Sequence, residues 1–411
     1  MKSRLWLVVI LCALPCVVCA DIMGMKESKP NDHSGGTGTG TAADTGTGTG
    51  SGTGTAATAT GTGTASTGAG TGTDTGTVTR VTPANGFTIG WMSNGTTSSF
   101  FNASRNGATA AGQALTNSKG VKVNVTIMDP SENVATTQAQ NIRDAVANPR
   151  LLGLAVDVID PTTINPEIDR AVDSGVTVMT FDSDAPNSKR SSYYGMDNRS
   201  TGVTAAKILT SLMGPSGGDI AIMNKENPPT AANFIARREG FMAELANHKG
   251  FKVVVDLPCT DGPTGESTLK AGCAGVLEDT MVAYPTVTGW FLSRGRPLRQ
   301  AKLGDDAPNW TARITAGTFF AVAYDAIPES LPSIEAGYVN AVINQKYYGW
   351  GYDVVGLLFD VIVNKRSILP FTDSGYDVVC ANNVDEVAAA WNSYDFSKPL
   401  SKCSLGGAQW P

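Results

Sequence analysis

An α/β fold of two similar parallel-sheet lobes with a ligand cleft between them is what this sequence predicts. Three observations carry that reading. Strand-like and helix-like segments alternate along the C-terminal part of the chain, the pattern of a parallel sheet with crossover helices. The alternation comes in two rounds of similar size, and roughly 330 residues suit two lobes of ordinary dimensions. Finally, the apolar run Val178-Met179-Thr180-Phe181 ends abruptly in Asp182-Ser183-Asp184, with Pro186 stopping the segment. In an open α/β sheet, ligands sit at the carboxyl ends of parallel strands. A carboxylate there accepts hydrogen bonds from a hydroxylated ligand at fixed geometry.

In the first round, Phe87 to Met92 reads as a strand, and Phe101 to Leu115 as a helix. Small residues in that helix (Gly107, Ala108, Ala111) suit close packing on a sheet. Val121 to Met128 alternates as a second strand, a helix spans Ala135 to Ala147, and the apolar run Leu151 to Ile159 follows. Ile164 to Ser174 is helical, and Val176 to Phe181 is the strand that delivers the aspartates. Tyr193 to Asn198 closes this lobe.

The second round starts with a strand at Asp219 to Met223 and a helix at Ala232 to Leu245 carrying Arg237, Arg238 and Glu239. Phe251 to Leu257 is a strand, followed by a helix through Leu269 to Ala283. Val287 to Leu292, Phe319 to Tyr324 and Tyr338 to Asn344 are further strands, and a helix runs from about Gly351 to Val363. A cleft between two such lobes is where a small molecule binds.

Ahead of the lobes the chain reads differently. Lys2 and Arg4 precede the apolar run Leu5 to Cys19, which is too short to span a membrane and reads as a signal peptide over residues 1–20. Cys16 and Cys19 raise lipid modification, although Pro15 and Val18 stand where a small residue usually precedes the lipidated cysteine. From about Ser34 to Val78 the chain is almost entirely Gly, Thr, Ala and Ser. Such a segment has no apolar face to bury and predicts a disordered tether over residues 21–84. About 45 residues of random coil reach roughly 35–40 Å.

Charge and residue inventory narrow the chemistry. The formal net charge is −6 with no basic patch, which argues against nucleic acid as a partner. Only two histidines are present, His33 in the low-complexity segment and His248 in a polar turn. That argues against a Ser-His-Asp or Cys-His mechanism and excludes a histidine metal site. The segment after the first strand lacks the spacing and lysine of a phosphate-binding loop. Four cysteines, Cys259, Cys273, Cys380 and Cys403, fall in the globular part and allow three pairings. The local pairs Cys259–Cys273 and Cys380–Cys403 are favoured in an oxidising compartment.

The strand ends supply a binding inventory. Phe100 and Phe101 follow the first strand and can stack on an apolar sugar face, and Asp182 and Asp184 follow the fourth. Asn233 and Arg237 open a helix and together make a hydroxyl clamp. Asp325 ends the strand Phe319 to Tyr324, and Gln345 ends another. Carboxylates, amides and aromatics together suit a neutral polyhydroxylated ligand.

In their order and spacing these residues resemble the periplasmic sugar-binding proteins of bacterial ABC transporters, of the ribose-binding, type I periplasmic binding protein fold. The resemblance runs from about Asn85 to Trp391. It rests on Phe100-Phe101 and on the run Thr180 to Pro186 with Arg190 and Gly195-Met196-Asp197-Asn198 after it. It rests also on Asn233-Phe234-Ile235-Ala236-Arg237 with Gly240, on Tyr324-Asp325, and on Gly337 to Gln345.

The resemblance implies that Asp182 holds ligand hydroxyls from the first lobe while Asn233, Arg237 and Asp325 close from the second. Gln345 would sit at a crossover, and Phe100 or Phe101 would stack. A three-segment hinge is implied at Asp197-Asn198, at Gln345-Lys346 and around Asn364 to Phe371. The first lobe would then comprise residues 85–198 and 346–366, and the second 199–345 and 367–411. Ser183 departs from the arginine that ribose binders carry beside the key aspartate, and Ser98 from their asparagine. The loop Arg294 to Leu298 is more basic than usual, and the stretch from Cys380 to Trp391 exceeds the minimal fold.

What the resemblance implies in function is an exported protein of the periplasm or cell envelope. It would be a monomer without cofactor or catalysis, capturing a sugar or polyol and delivering it to an ABC transporter permease. Two alternatives stand beside it: a sensory subunit for a chemoreceptor or kinase, and a carboxylate-dependent hydrolase using Asp182 and Asp325.

Overall fold

Strands β1 (Phe87–Met92) and β3 (Leu151–Val156) are buried at every residue, as expected of parallel strands covered on both faces. They form the centre of a first sheet in the computed structural model, which describes residues 78–95, 99–224, 231–259, 272–299 and 303–411. The export signal, Cys16, Cys19 and most of the tether lie outside the described residues.

Around β1 and β3 the first sheet adds β2 (Val123–Ile127), β4 (Thr177–Phe181) and β5 (Ser192–Gly195). Helices α1 (Asn102–Lys119), α2 (Ala135–Val146) and α3 (Pro161–Asp173) connect them. Asp160 caps α3, accepting from the Thr162 and Thr163 N–H groups, and Pro161 opens the helix where its missing N–H costs nothing.

The second lobe begins with α4 (Asn198–Met213), a helix that periodicity does not announce. Strands β6 (Gly218–Asn224), β7 (Phe251–Pro258) and β8 (Val287–Leu292) follow, with α5 (Ala232–Leu245) and α6 (Gly272–Ala283) between them. Short helices α7 (Leu303–Asp306), α8 (Pro308–Thr315) and α9 (Leu331–Glu335) surround β9 (Phe320–Tyr324), and β10 (Ala341–Gln345) comes next. Helix α10 (Gly349–Val363) then returns to pack on α1, β3 and β4.

The closing elements are β11 (Phe371–Asp373), β12 (Tyr376–Val379), α11 (Val384–Ser393) and the hairpin β13 (Cys403–Leu405) and β14 (Ala408–Trp410). The first sheet runs β11-β5-β4-β3-β1-β2 and is parallel throughout. The second runs β12-β10-β9-β8-β6-β7, parallel except for the antiparallel edge strand β12. The two predicted lobes are present, and the shared order gives β3 and β8, and β4 and β9, matching places.

The chain crosses between sheets three times. The first crossing is Met196–Asp197, between β5 and α4, and the second runs through Lys346 to Tyr348, between β10 and α10. The third differs from expectation. Strand β11 still pairs with β5 of the first sheet, so the crossing falls at Ser374–Gly375 and not at Asn364 to Phe371. Residues 367–373 therefore extend the first lobe. Both local disulfides are formed, Cys259–Cys273 and Cys380–Cys403, with Cα separations of 5.6 and 5.7 Å. No helix among the described residues is long and apolar enough to cross a membrane.

Candidate functional site

Asp182 is the first residue past β4, and Asp325 the first past β9. Each adopts a left-handed backbone, with φ of 54° and 70°, a conformation that aspartate tolerates better than most side chains. The kink turns each carboxylate off the strand end, and both residues are buried.

Asp325 is firmly held. Its Oδ1 accepts from Gln345 Nε2 at 2.9 Å and from the Tyr347 hydroxyl at 3.2 Å. Its Oδ2 accepts from the Gly295 N–H at 3.3 Å and lies 3.6 Å from the Arg299 guanidinium. Asp325 and Gln345 are thus brought together as the sequence suggested.

Arg237 is placed by an unusually close helix pair. A Cβ on Gly202 of α4 would collide with the Arg237 carbonyl, and one on Gly240 of α5 with the Arg199 carbonyl. Two missing side chains therefore let the helix backbones touch. Arg237 then donates from Nε to Asn198 Oδ1 at 2.9 Å and from its terminal nitrogen to the Ser293 carbonyl at 3.0 Å. Its guanidinium lies 4.2 Å from the Tyr324 ring centroid. It is fully buried and is no surface ion pair; Glu239 pairs with Arg199 and Glu244 with His248.

Asp182 sits where the two lobes meet. Burial pushes its carboxyl up to about 7; Arg237 and Arg299 pull it down, and Asp325 pushes it further up. Its carboxylate accepts no hydrogen bond from the described residues, while its backbone carbonyl takes the Tyr193 hydroxyl at 2.9 Å. Burial and the neighbouring carboxylate likewise raise the Tyr193 hydroxyl.

Other predicted residues fall elsewhere. Phe100 lies at the lobe junction, 5.1 Å from Tyr347 and beneath the Arg299 guanidinium at 5.1 Å. Phe101 does not share that place: it is 1% exposed, packed against Trp91 and Trp350 in the core. Phe100 also packs on Phe101 at 4.9 Å and on Trp350 at 5.6 Å, so the two rings share one aromatic cluster, with Phe100 on the side of Arg299. Asn233 is half-buried, and its side chain's one hydrogen bond among the described residues is accepted by Oδ1 from the adjacent Phe234 N–H, so it is not drawn onto Asp182. Asp184 is occupied by the Arg190 fork at 2.5 and 2.6 Å.

At the crossings, Asp197 caps α4 through the Ser200 N–H at 3.0 Å. Asn198 links Arg237 to the Met196 carbonyl, and Lys346 binds both oxygens of Asp377 at 2.6 and 2.7 Å.

Sequence reasoning missed Asp157, Arg299, Tyr193, Ser293 and Tyr347. Asp157 lay inside a run read as apolar, though a lone carboxylate near the end of a buried strand was a usable signal. The site also has a shared property. Among the described residues, buried side-chain atoms without a hydrogen-bond partner include Asp157 Oδ2, Asn224 Oδ1, Ser293 Oγ and Arg299 Nε. Asp157 follows β3, Asn224 ends β6 and Ser293 follows β8, all at carboxyl ends of strands.

Two parallel-sheet lobes, three crossings and buried polar groups converging from both lobes define a two-lobe binding protein. The chain matches the periplasmic binding protein domain family over residues 89–366, and it belongs to that family. The xylose/arabinose-binding protein XylF of Sulfolobus acidocaldarius is 23% identical over 296 residues, covering 67% of this chain and 68% of that protein. A solved ABC transporter solute-binding protein of Burkholderia graminis, in complex with D-arabinose, superimposes with a TM-score of 0.63 at 25% identity. That alignment covers 74% of this chain and 98% of the other. The arabinose-binding protein AraP of Geobacillus stearothermophilus gives 0.59 at 22% identity, over 73% and 99% of the two chains.

Proposed function

We propose that this chain captures a neutral sugar, an aldopentose or close relative, between its lobes and delivers it to an ABC transporter permease. One observation carries the reading: among the described residues, buried polar atoms without a partner stand at strand ends of both lobes, Asp157 in the first and Asn224 and Ser293 in the second, alongside the buried Asp182, Arg237 and Asp325. A ligand with several hydroxyls supplies both the donors and the acceptors that these atoms need. The pentose-binding relatives point to the size of the ligand.

In this reading Asp182 accepts ligand hydroxyls, Arg237 donates to ring or hydroxyl oxygens, and Phe100 covers an apolar sugar face. Asn233 lies at the cleft edge, and Asp325 with Gln345 forms the second-lobe wall. Asp197, Asn198 and Lys346 bend as the lobes open. The export signal expected over residues 1–20 places the protein in the periplasm or cell envelope. The reading assigns capture without turnover, so hydrolysis or isomerisation of a bound sugar would overturn that part of it.

The test is a thermal-shift and calorimetric panel of aldopentoses, hexoses, disaccharides and polyols on ligand-free protein. A ligand at a thousandfold over its Kd raises stability by about 4 kcal/mol, readily seen as a higher melting temperature. A selective shift that Asp182→Ala removes supports the site. No shift with any carbohydrate sinks the sugar reading.

A further inference from the structure

Asp157 is the first residue past β3, as Asp182 is the first past β4. The β3–β4 register sets Val156 against Thr180, so the two carboxylates leave adjacent strands at neighbouring positions. Asp157 is 0% exposed. Its Oδ1 accepts from the Ser183 N–H at 3.2 Å, and its backbone carbonyl takes Gln138 Nε2 at 2.7 Å, which locks the residue in place. Its Oδ2 has no partner among the described residues.

The loop contacts to Ser183 and Asn94 do not by themselves call for a charge there. Two arginines of the first lobe are already engaged, Arg105 by Asp129 and Arg190 by Asp184. Burial and the Asp182 charge hold the Asp157 carboxyl well above its usual range, while hydrogen bonds from Ser183 and Asn94 oppose this. For holding the loop alone, a neutral side chain would serve without the cost of a buried charge.

We propose that Asp157 is a specificity-determining ligand contact, its Oδ2 accepting the hydroxyl adjacent to the one that Asp182 accepts. The inference rests on the sugar reading and sharpens it. Two carboxylates side by side repel one another and are quietened by two adjacent donors, which is what a vicinal diol offers. A deoxy sugar leaves one buried acceptor unpaired, a defect to which sites built around a hydroxyl are highly sensitive. An acid sugar or sugar phosphate at that position brings a negative charge beside two buried carboxyls whose own ionisation burial already opposes. The site therefore selects neutral sugars with a free diol facing the first lobe.

The test is calorimetry on the full chain with the aldose that binds best, its mono-deoxy analogues, and the variants Asp157→Asn and Asp157→Ser. Wild type should discriminate against the deoxy analogue by at least about a hundredfold. Asp157→Asn should melt no lower than wild type without ligand, bind the parent sugar at least about tenfold more weakly, and lose most of that discrimination. Asp157→Ser is read in the same way should the amide not fit. Parent-sugar affinity unchanged in both variants overturns the assignment and leaves the sugar reading standing. Wild-type protein that binds no sugar overturns both.

Discussion

Asp182 and Asp325 occupy matching places in the two lobes, each directly past its strand with a left-handed backbone, yet their surroundings are opposite. Asp325 is held by Gln345, Tyr347, Gly295 and Arg299, whereas the Asp182 carboxylate accepts nothing from the described residues. A satisfied carboxylate holds a shape, and an unsatisfied one is available to a ligand. The two asparagine variants should therefore separate. Asp182→Asn should bind sugar at least about tenfold more weakly, through lost charge-assisted hydrogen bonds, with ligand-free stability intact or raised. Asp325→Asn should lose binding and also about 1–3 kcal/mol of stability, because its buried donors lose an anion. Parallel denaturation and calorimetry on both variants check the pair, and equal stability losses would refute the distinction.

The raised carboxyl of Asp182 makes binding pH-dependent. Its folded value of about 7 lies above that of an unfolded aspartate, so between the two the folded, ligand-free protein holds the extra proton. Stability from this group is thus greatest below the unfolded value and is lost as pH rises through about 7. Ligand hydroxyls favour the charged form, so binding expels a proton below that pH, and affinity should rise by up to about tenfold per unit. Asp157, raised in the same direction, adds to the effect. Calorimetry in two buffers of different ionisation enthalpy measures the proton released. Wild-type protein should release one or more on the acid side of that range, and Asp182→Asn fewer; equal release sinks the assignment.

What the sequence disclosed follows from what is local. Asp182 and Asp325 stood out because an apolar strand stopping at a carboxylate is a pattern within a few residues. Helix α4 did not: Thr201, Gly202, Val203 and Thr204 make its first turns poor in helix formers, and packing on α5 overrides that preference. The third crossing was misplaced because β11 has three residues, too few for alternation to mark. Asp157 was legible only as a lone carboxylate inside an apolar run, and pairing with β4 is what shows that β3 stops just before it. Phe100 and Phe101 were indistinguishable until packing set Phe100 on the side of Arg299.

The α4–α5 contact carries the position of Arg237, and it depends on two absent side chains. Gly240→Ala would drive a methyl into the Arg199 carbonyl, and Gly202→Ala into that of Arg237 itself. Neither helix can yield without moving the other, so each change should cost about 1–3 kcal/mol, the usual range for overpacking. Gly202→Ala should also weaken sugar binding, since it displaces the residue that donates to Asn198 and Ser293. Alanine at Gly356 of α10, where a Cβ meets nothing within 4 Å, is the control and should leave both properties unchanged. Chemical denaturation with calorimetry reads the set.

Beyond β12, the C-terminal segment grips the second crossing. Trp391 donates to the Ala326 carbonyl at 3.1 Å and lies 5.5 Å from the Tyr347 ring. Phe396 stacks on Tyr348 at 5.6 Å, and Tyr348 in turn stacks on Tyr352 of α10 at 5.5 Å. A segment anchored on the second lobe thus rests on a helix of the first, and the Cys380–Cys403 disulfide closes the loop that carries it, with a sequence separation of 23. Opening the cleft should disturb that stack. An aromatic pair is worth about 0.5–1.5 kcal/mol beyond its buried area, so Phe396→Ala should speed sugar release by roughly two- to tenfold. Replacing both cysteines with serine should lower stability by about 3 kcal/mol, from the loop entropy returned to the unfolded chain. Release can be followed by stopped-flow displacement through tryptophan fluorescence. An unchanged rate in Phe396→Ala would mean that the segment only covers the second lobe, and that opening does not move it.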